Sequence, residues 1–349
     1  MAQSKGQNVG TPRFFLDVMQ YNLTIGEIDP QEFGLNHIDG SANDRLWGLD
    51  RKELASLFYL NPTTRTEIID TTSGDPIYLA FPILSGDYSG ITKIDYCMFL
   101  GHNLKNSQMI PSFNGVDFSQ DIYNASEIRE KGKINGMGVP EYNGWSYYDL
   151  FVGDSSQYME ISLTKEDASA DNTRINCISI GTKYDMPHSP DLQLTMTREF
   201  DGISQTTTKG GALLSNINYA HSAQWLREPW GLNSADSLKD SFYRRPGRRV
   251  WNLKFSYIDH SDIMPDNEMF NNEEIHDTTD YERMHQDDTF FSQFMRLTLG
   301  GNLKFIFQPD KDNNKPDGFA ICILDQKGIS IKQVAHQVYD ISLKIMEVW

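Results

Sequence analysis

Histidine is the side chain best suited to bind a transition metal or to move protons near neutral pH, so the eight histidines are the first candidates for chemistry. Metal sites place such ligands at short, regular spacings on one strand or helix. No such spacing relates seven of these eight positions: His102, His188, His221, His260, His276, His285 and His336. We therefore predict no metal site, and we expect each histidine to be a surface or hydrogen-bonded residue.

His102 has a defined local setting, because Gly101-His102-Asn103-Leu104 directly follows a predicted buried strand. Its ring could bind a ligand, or it could satisfy backbone groups where the strand ends. The second interpretation is favoured.

The acidic residues form no recognisable catalytic or calcium motif. Asp310, Asp312 and Asn314 resemble the start of a calcium loop, but Lys315 replaces the glycine of the sharp turn and Ile321 replaces the bidentate acid. We predict a polar hairpin loop there. Phosphate-binding, nucleophile-elbow, zinc-protease and dinucleotide motifs are missing from any usable context. We thus predict no enzyme activity, no catalytic residue and no cofactor.

Three groups of residues have types suited to binding a partner. An arginine cluster could dock an acidic surface or be a solvated turn: Arg244, Arg245, Arg248 and Arg249. Two tryptophans, Trp225 and Trp230, could be interface anchors or core residues. Four aromatic residues could stack on a glycan or belong to a core strand: Tyr142, Trp145, Tyr147 and Tyr148.

The composition restricts the partners further. A formal net charge of −17 and a pI near 4.8 repel phosphate backbones and anionic headgroups, so we predict neither a nucleic-acid nor a membrane partner. No apolar stretch has the length needed to cross a bilayer. The three cysteines are odd in number and far apart, which predicts buried free thiols in a reducing cytoplasm.

Hydrophobic alternation with period two predicts most of the secondary structure as β-strands. Predicted strands cover residues 77–81, 94–100, 158–164, 175–180, 192–197, 251–257 and 339–345. Single buried faces are expected for Leu192, Leu194 and Met196, for Trp251, Leu253, Phe255 and Tyr257, and for Tyr339, Ile341, Leu343 and Ile345. Two helices are predicted: one capped by Thr11 before Pro12, and one near residues 289–298 that ends at Gly300 and Gly301.

These elements predict a mainly all-β fold with two β-sandwich domains, the second carrying one or two packed helices. We divide the chain into an N-terminal docking segment (1–54), a first β-sandwich (55–190) and a second β domain with the helix (191–349). The length of 349 residues fits two cores.

The run from Ile94 to Leu104, with its Gly-His-Asn-Leu corner, resembles the galactose-binding-like, or discoidin-like, β-sandwich domains of phage tail proteins. Ile178-Ser179-Ile180-Gly181 followed by Met186-Pro187 is similar to the strand that closes such a domain. In the second half, the Gly247–Phe255 strand, the glycine-terminated helix and the segment 305–310 also resemble phage tail components. No sugar-binding loop matches residue by residue, so the corner is a fold marker only.

The resemblance implies a structural protein of a tailed-phage virion, located in the tail, the tail tip or baseplate, or the adaptor region. It would be made in the bacterial host cytoplasm and would assemble with copies of itself and other virion proteins. Two alternatives stay open: a module that binds a receptor or host-surface glycan, and a polysaccharide hydrolase. The hydrolase stays open because 48 acids offer many carboxylate pairs whose separation exists only in three dimensions.

Overall fold

The computed structural model describes a large part of the chain. The described residues are 9–30, 34–37, 51–61, 66–68, 77–82, 94–104, 108–113, 116–117, 134–135, 139–140, 144–152, 158–164, 173–192, 194–199, 203–217, 248–265, 288–313 and 318–348. Within these ranges the protein is mainly β-structure with antiparallel pairing, which confirms the predicted all-β class.

The strands follow one another along the chain with few helices between them. They are β1 Arg13–Asp17, β2 Gly34–His37, β3 Thr66–Ile68, β4 Ile77–Pro82, β5 Ile94–His102, β6 Gln108–Phe113, β7 Val116–Asp117, β8 Ile134–Asn135, β9 Val139–Pro140, β10 Gly144–Val152, β11 Tyr158–Thr164, β12 Thr173–Ile175, β13 Cys177–Asp185, β14 Thr195–Glu199, β15 Ile203–Thr207, β16 Leu213–Ile217, β17 Arg248–Asp259, β18 Phe305–Gln308, β19 Ala320–Leu324, β20 Ile331–Ala335 and β21 Val338–Glu347. The helices are α1 Val18–Ile25, α2 Arg51–Ser56, α3 His260–Ile263 and a π-helix, Phe290–Met295.

One ten-stranded sheet dominates the molecule. Its order is β10-β5-β13-β1-β18-β19-β21-β17-β14, and β20 pairs with β21 beside this path. A second sheet has the order β2-β4-β11-β6-β7, and three two-stranded ladders join β3 to β12, β8 to β9 and β15 to β16.

The two larger sheets share a hydrophobic core. Phe81 and Ile161 of the second sheet belong to the same buried cluster as Phe99 and Ile180 of the main sheet. The opposite face of the main sheet carries a separate cluster that includes Phe15. Both faces are therefore buried near the centre of the main sheet, which gives a sandwich-like arrangement.

The N-terminal segment corrects the predicted helix at Thr11. Residues 13–17 form the strand β1, which pairs with β13 on one side and β18 on the other. Phe14 and Phe15 enter clusters on opposite faces, which a central strand allows and a helix with a single apolar stripe does not. Residues 13–17 are therefore a central strand of the main sheet.

The helix α1 begins at Val18, after β1, and not at Thr11 as predicted. Asp17 is the N-cap of α1, since its Oδ1 accepts a hydrogen bond of 2.8 Å from the backbone N–H of Gln20. The helix ends at Gly26, whose φ of 83° is the left-handed conformation that glycine adopts without strain.

A helical turn also occurs where residues 289–298 predict one. It is a π-helix, and Thr289 caps it, since the Thr289 hydroxyl accepts a hydrogen bond from the Ser292 backbone N–H while the Ser292 hydroxyl accepts one from the Thr289 N–H. Phe290 and Phe294 stack with ring centroids 5.0 Å apart and bury the apolar face of this helix. Gly300 and Gly301 follow with positive φ values of 72° and 87°, as expected for the residues that end it.

Strands from both sides of residue 190 alternate in the main sheet. β1 and β13, from the N-terminal part, stand beside β18 and β19, from the C-terminal part. The predicted boundary between residues 190 and 191 therefore falls within one continuous sheet. The hydrophobic cluster beneath that sheet also draws residues from both parts.

Candidate interaction surface

His102 occupies the position expected for a hydrogen-bonded residue where a strand ends. Its Nδ1 accepts a hydrogen bond of 3.2 Å from the Leu104 backbone N–H, so its Nε2 carries the proton and donates to the Ser146 hydroxyl at 2.8 Å. Burial lowers the pKa of His102 to about 3, because the charged ring would lose its hydration. His102 thus ties the end of β5 to β10 and presents no free ring nitrogen to a ligand.

The arginine cluster is only partly a surface. Arg249 is buried, and its guanidinium binds both carboxylate oxygens of Glu347 at 3.0 Å and donates to the Phe319 carbonyl. This corrects its assignment to a docking patch, since the tertiary fold supplies its acidic partner from β21. Arg248 is half-buried at the start of β17, while Arg244 and Arg245 lie outside the described residues.

The aromatic set proposed for glycan binding is also corrected in part. Tyr147 and Tyr148 are 1% and 0% exposed in β10, so neither ring is available as a stacking platform. The rings of Tyr147 and Phe15 pack edge-to-face with centroids 5.6 Å apart, and the Tyr147 hydroxyl donates a hydrogen bond to Asp149. Trp145 lies in β10, but its side chain is outside the described residues. Tyr142 and the two tryptophans proposed as interface anchors, Trp225 and Trp230, also lie outside them.

The edge of the main sheet at β14 exposes apolar side chains. Among the described residues β14 pairs with β17 alone, so its other backbone edge carries no ladder. Leu192 just before it is 100% exposed, and Leu194 and Met196 are only partly buried against the core. We call Leu192, Leu194 and Met196 the edge stripe. The predicted burial is confirmed in part for Leu194 and Met196 and is wrong for Leu192.

A hairpin beyond β14 is exposed at almost every residue whose burial the structure describes. We call residues 203–217 the hairpin arm; its strands β15 and β16 pair with each other in register from Ile203 and Ile217 to Thr207 and Leu213. Leu213 and Leu214 are each 59% exposed. Sequence reasoning missed this element, although Gly210-Gly211 between a threonine-rich run and a pair of leucines is a hairpin signal.

The turn of the hairpin arm is well defined. The Gly211 N–H donates to the Thr208 carbonyl at 2.9 Å, and the Ala212 N–H donates to the Thr208 hydroxyl at 3.1 Å. Gly211 has a φ of 82°, which requires glycine. The arm is therefore a formed β-ribbon, and within the described residues neither of its strands pairs with another sheet.

A second exposed feature is a bulge in β17 at Tyr257. The register with β21 shifts between Phe255 and Ile258, and the extra length turns Tyr257 out of the core to 76% exposure. Its φ of 63° is strained for a bulky side chain. This corrects the prediction that Tyr257 continues the buried face of Trp251.

Polar and aromatic groups surround this bulge. The Tyr257 N–H donates to Asp340 Oδ1 at 3.3 Å, and Lys254 Nζ lies 3.3 Å from Asp340 Oδ2. The rings of His260 and Tyr339 are 5.7 Å apart on the neighbouring turn and strand. We call Tyr257 with these four residues the Tyr257 bulge. It combines an exposed aromatic ring with charged hydrogen-bonding groups.

The described residues contain no group of three or more His, Cys, Asp or Glu side chains placed to hold a metal ion. No helix in the same ranges is long and apolar enough to cross a membrane. The three cysteines are free and buried, as predicted.

Neither a protein-family model, nor a curated protein, nor a solved structure matches this chain. The resemblance to phage tail proteins is thus without a matching relative, and function has to be argued from the surfaces themselves.

Proposed function

We propose that this chain is a non-catalytic structural protein of a tailed-phage virion, located in the tail, the tail tip or baseplate, or the adaptor region. It acts through protein–protein assembly with copies of itself and other virion proteins. The observation that carries the proposal is the hairpin arm, which exposes two leucines and has two backbone edges that no other described strand pairs with. Exposed strand edges pair readily with other strands, so monomeric proteins normally block or cover such edges.

The sequence and the fold support the same proposal from two further directions. The Gly101–Leu104 corner and the Gly247–Phe255 strand resemble phage tail components. Antiparallel sandwich-like folds with open edges are suited to repeated subunits, because a strand added at each edge gives many identical contacts.

The direct test is the protein content of purified particles of the phage that encodes the chain. Quantitative mass spectrometry should find the chain at a fixed, multiple copy number per particle, and a low-resolution map should locate it in the tail or adaptor region. Absence from washed, infectious particles would reject the proposal.

The Tyr257 bulge favours a second candidate function, binding of a host-surface glycan. A solvent-facing tyrosine on a strained backbone can stack on a sugar ring, while Asp340 and Lys254 can hydrogen-bond its hydroxyls. The test is binding of purified host envelope polysaccharide by calorimetry. Tyr257→Ala should abolish binding, whereas Tyr59→Ala, which removes another exposed tyrosine elsewhere, should not.

A further inference from the structure

We infer that copies of this chain associate by strand addition, in which β16 of the hairpin arm of one copy pairs with the open edge of β14 in the next copy. The inference rests on the proposed structural function and deepens it by naming the partner, a second copy of the chain. Three observations support it: the exposed edge stripe, the dimensions of the arm, and the distribution of charge.

The edge stripe has a sequence pattern that calls for a covering layer, and the residues that the structure describes do not provide one. Leu192, Leu194 and Met196 alternate with polar residues, a spacing typical of one strand face; Met196 lies in β14 and the two leucines directly before it. The single chain leaves Leu192 fully exposed and the other two partly buried. A strand that carries leucines and lies beside β14 would cover this stripe and remove its apolar surface from water.

The hairpin arm matches that requirement in length and chemistry. β14, β15 and β16 have five residues each, so an added strand can pair along the whole of β14. β16 brings Leu213 and Leu214, which as successive residues face opposite sides of the ladder, so one of them lies on the side of the edge stripe. A two-stranded hairpin is marginally stable alone in water, so the arm itself gains from a third strand.

Charge explains why two acidic chains would meet at these segments. The net charge of −17 opposes association over most of the surface. The hairpin arm contains Lys209 as its one charged residue, and within β14 the charges of Arg198 and Glu199 cancel. Contact between these two segments therefore brings together nearly neutral surfaces and avoids most of the repulsion.

The arrangement is head-to-tail, because the arm of each copy meets a different surface on its neighbour. Such contacts close into a ring when the rotation between copies divides a full turn, and otherwise extend as a filament. A repeated ring is the form that a tail or adaptor protein requires.

Cysteine cross-linking between singly substituted chains tests the contact. Met196→Cys chains, distinguished by a mass tag, are mixed with Leu213→Cys chains or with Leu214→Cys chains and oxidised. Each chain then carries one accessible thiol, since the natural cysteines are buried, so a mixed disulfide can form only between copies. Because successive side chains face opposite sides, one mixture should give the mixed dimer as its main product and the other should not.

The matched control replaces Met196→Cys with Val334→Cys, which places the thiol on β20, where Val334 is 40% exposed. A complementary measurement is sedimentation velocity of the variant L213K/L214K, which should lose the dimer and larger species that the native chain forms. Val334→Lys should keep them. Far-ultraviolet circular dichroism verifies that every variant is folded.

The inference is overturned when both mixtures cross-link no more than the Val334→Cys control, or when L213K/L214K associates like the native chain. That result can stand beside a chain found in virions, in which case the proposed function survives and another virion protein occupies the edge. Cross-linking by a chain absent from particles would instead support the inference and reject the proposed function.

Discussion

Two titratable side chains in the core, Asp17 and His102, are held in their neutral forms by burial. The pKa of Asp17 rises to about 7, because its buried carboxylate loses hydration that the hydrogen bonds from the Gln20 backbone and the Ser179 hydroxyl only partly replace. Its Oδ2 has no hydrogen-bond partner among the described residues. His102 shifts the other way, to about 3, again through burial.

These shifts make stability depend on pH with opposite signs. Between pH 3.8 and about 7 the folded chain keeps a proton on Asp17 that the unfolded chain releases, so this contribution to stability is lost as pH rises. Between about pH 3 and 6.5 the unfolded chain binds a proton at His102 that the folded chain refuses, so that contribution is lost as pH falls.

The Asp17→Asn variant tests whether the raised pKa of Asp17 lowers stability as pH rises. Asparagine is also a good N-cap but does not titrate, so we expect the variant to gain stability relative to the native chain as pH rises from 4 to 7, by about 1.4 kcal/mol per pH unit where the shift is fully expressed. Urea unfolding at a series of pH values measures the difference. A difference that does not change with pH would contradict a raised pKa for Asp17.

The Arg249–Glu347 pair allows a test of buried charge. Arg249→Met leaves the Glu347 carboxylate, 2% exposed, without its partner and should cost about 3–5 kcal/mol. The double variant R249M/E347L removes both charges and should recover much of that loss. Lys344→Met, which breaks an exposed pair with Asp325, is the control and should change the urea midpoint little.

At the scale of elements, the central pairing of β1 with β13 depends on Gly181. A Cβ atom at this position would lie 1.8 Å from the Leu16 carbonyl oxygen, so the two strands can approach only where residue 181 has no side chain. β1 sits between the strands of the two sequence halves, and a displacement here disturbs both.

Gly181→Ala should therefore destabilise the protein by about 3 kcal/mol, the upper end of the range typical of overpacking. The loss is large because backbone atoms, and not a flexible side chain, must shift. Gly210→Ala is the control: nothing lies within 4 Å of a Cβ at Gly210, which is in the turn of the hairpin arm. Thermal unfolding of the two variants compares them, and equal stability would show that β1 and β13 can separate without loss.

At the scale of the whole molecule, the shared sheet predicts how the chain unfolds. β1 of the N-terminal half pairs with β18 of the C-terminal half, so the main sheet contains strands from both halves. We expect one cooperative transition in calorimetry, with proteolytic fragments of the two halves appearing together. Two separate transitions, with a resistant fragment ending near residue 190, would instead support the two-domain division.

Period-two patterns in the sequence predicted several of the longer strands, because alternation along a strand records directly which side chains face the core. Residues 158–164 are the strand β11 as predicted, and Ile341, Leu343 and Ile345 are buried along β21. The turn of helix that ends at Gly300 and the hydrogen-bonded role of His102 also followed from local signals. These features depend on neighbours in sequence, so the sequence alone contains their cause.

Tertiary structure decided the features that depend on distant partners. The apolar residues at positions 14 and 15 fit a helix until β13 and β18 pair with the two edges of this segment, which makes it a strand with both faces buried. Arg249 looks like a surface cation until Glu347, 98 residues away, reaches it. Tyr257 leaves its periodic face because the pairing with β21 contains a bulge. An amino-acid pattern states which side chains need burial or a counter-charge, but only the assembled chain determines what meets them.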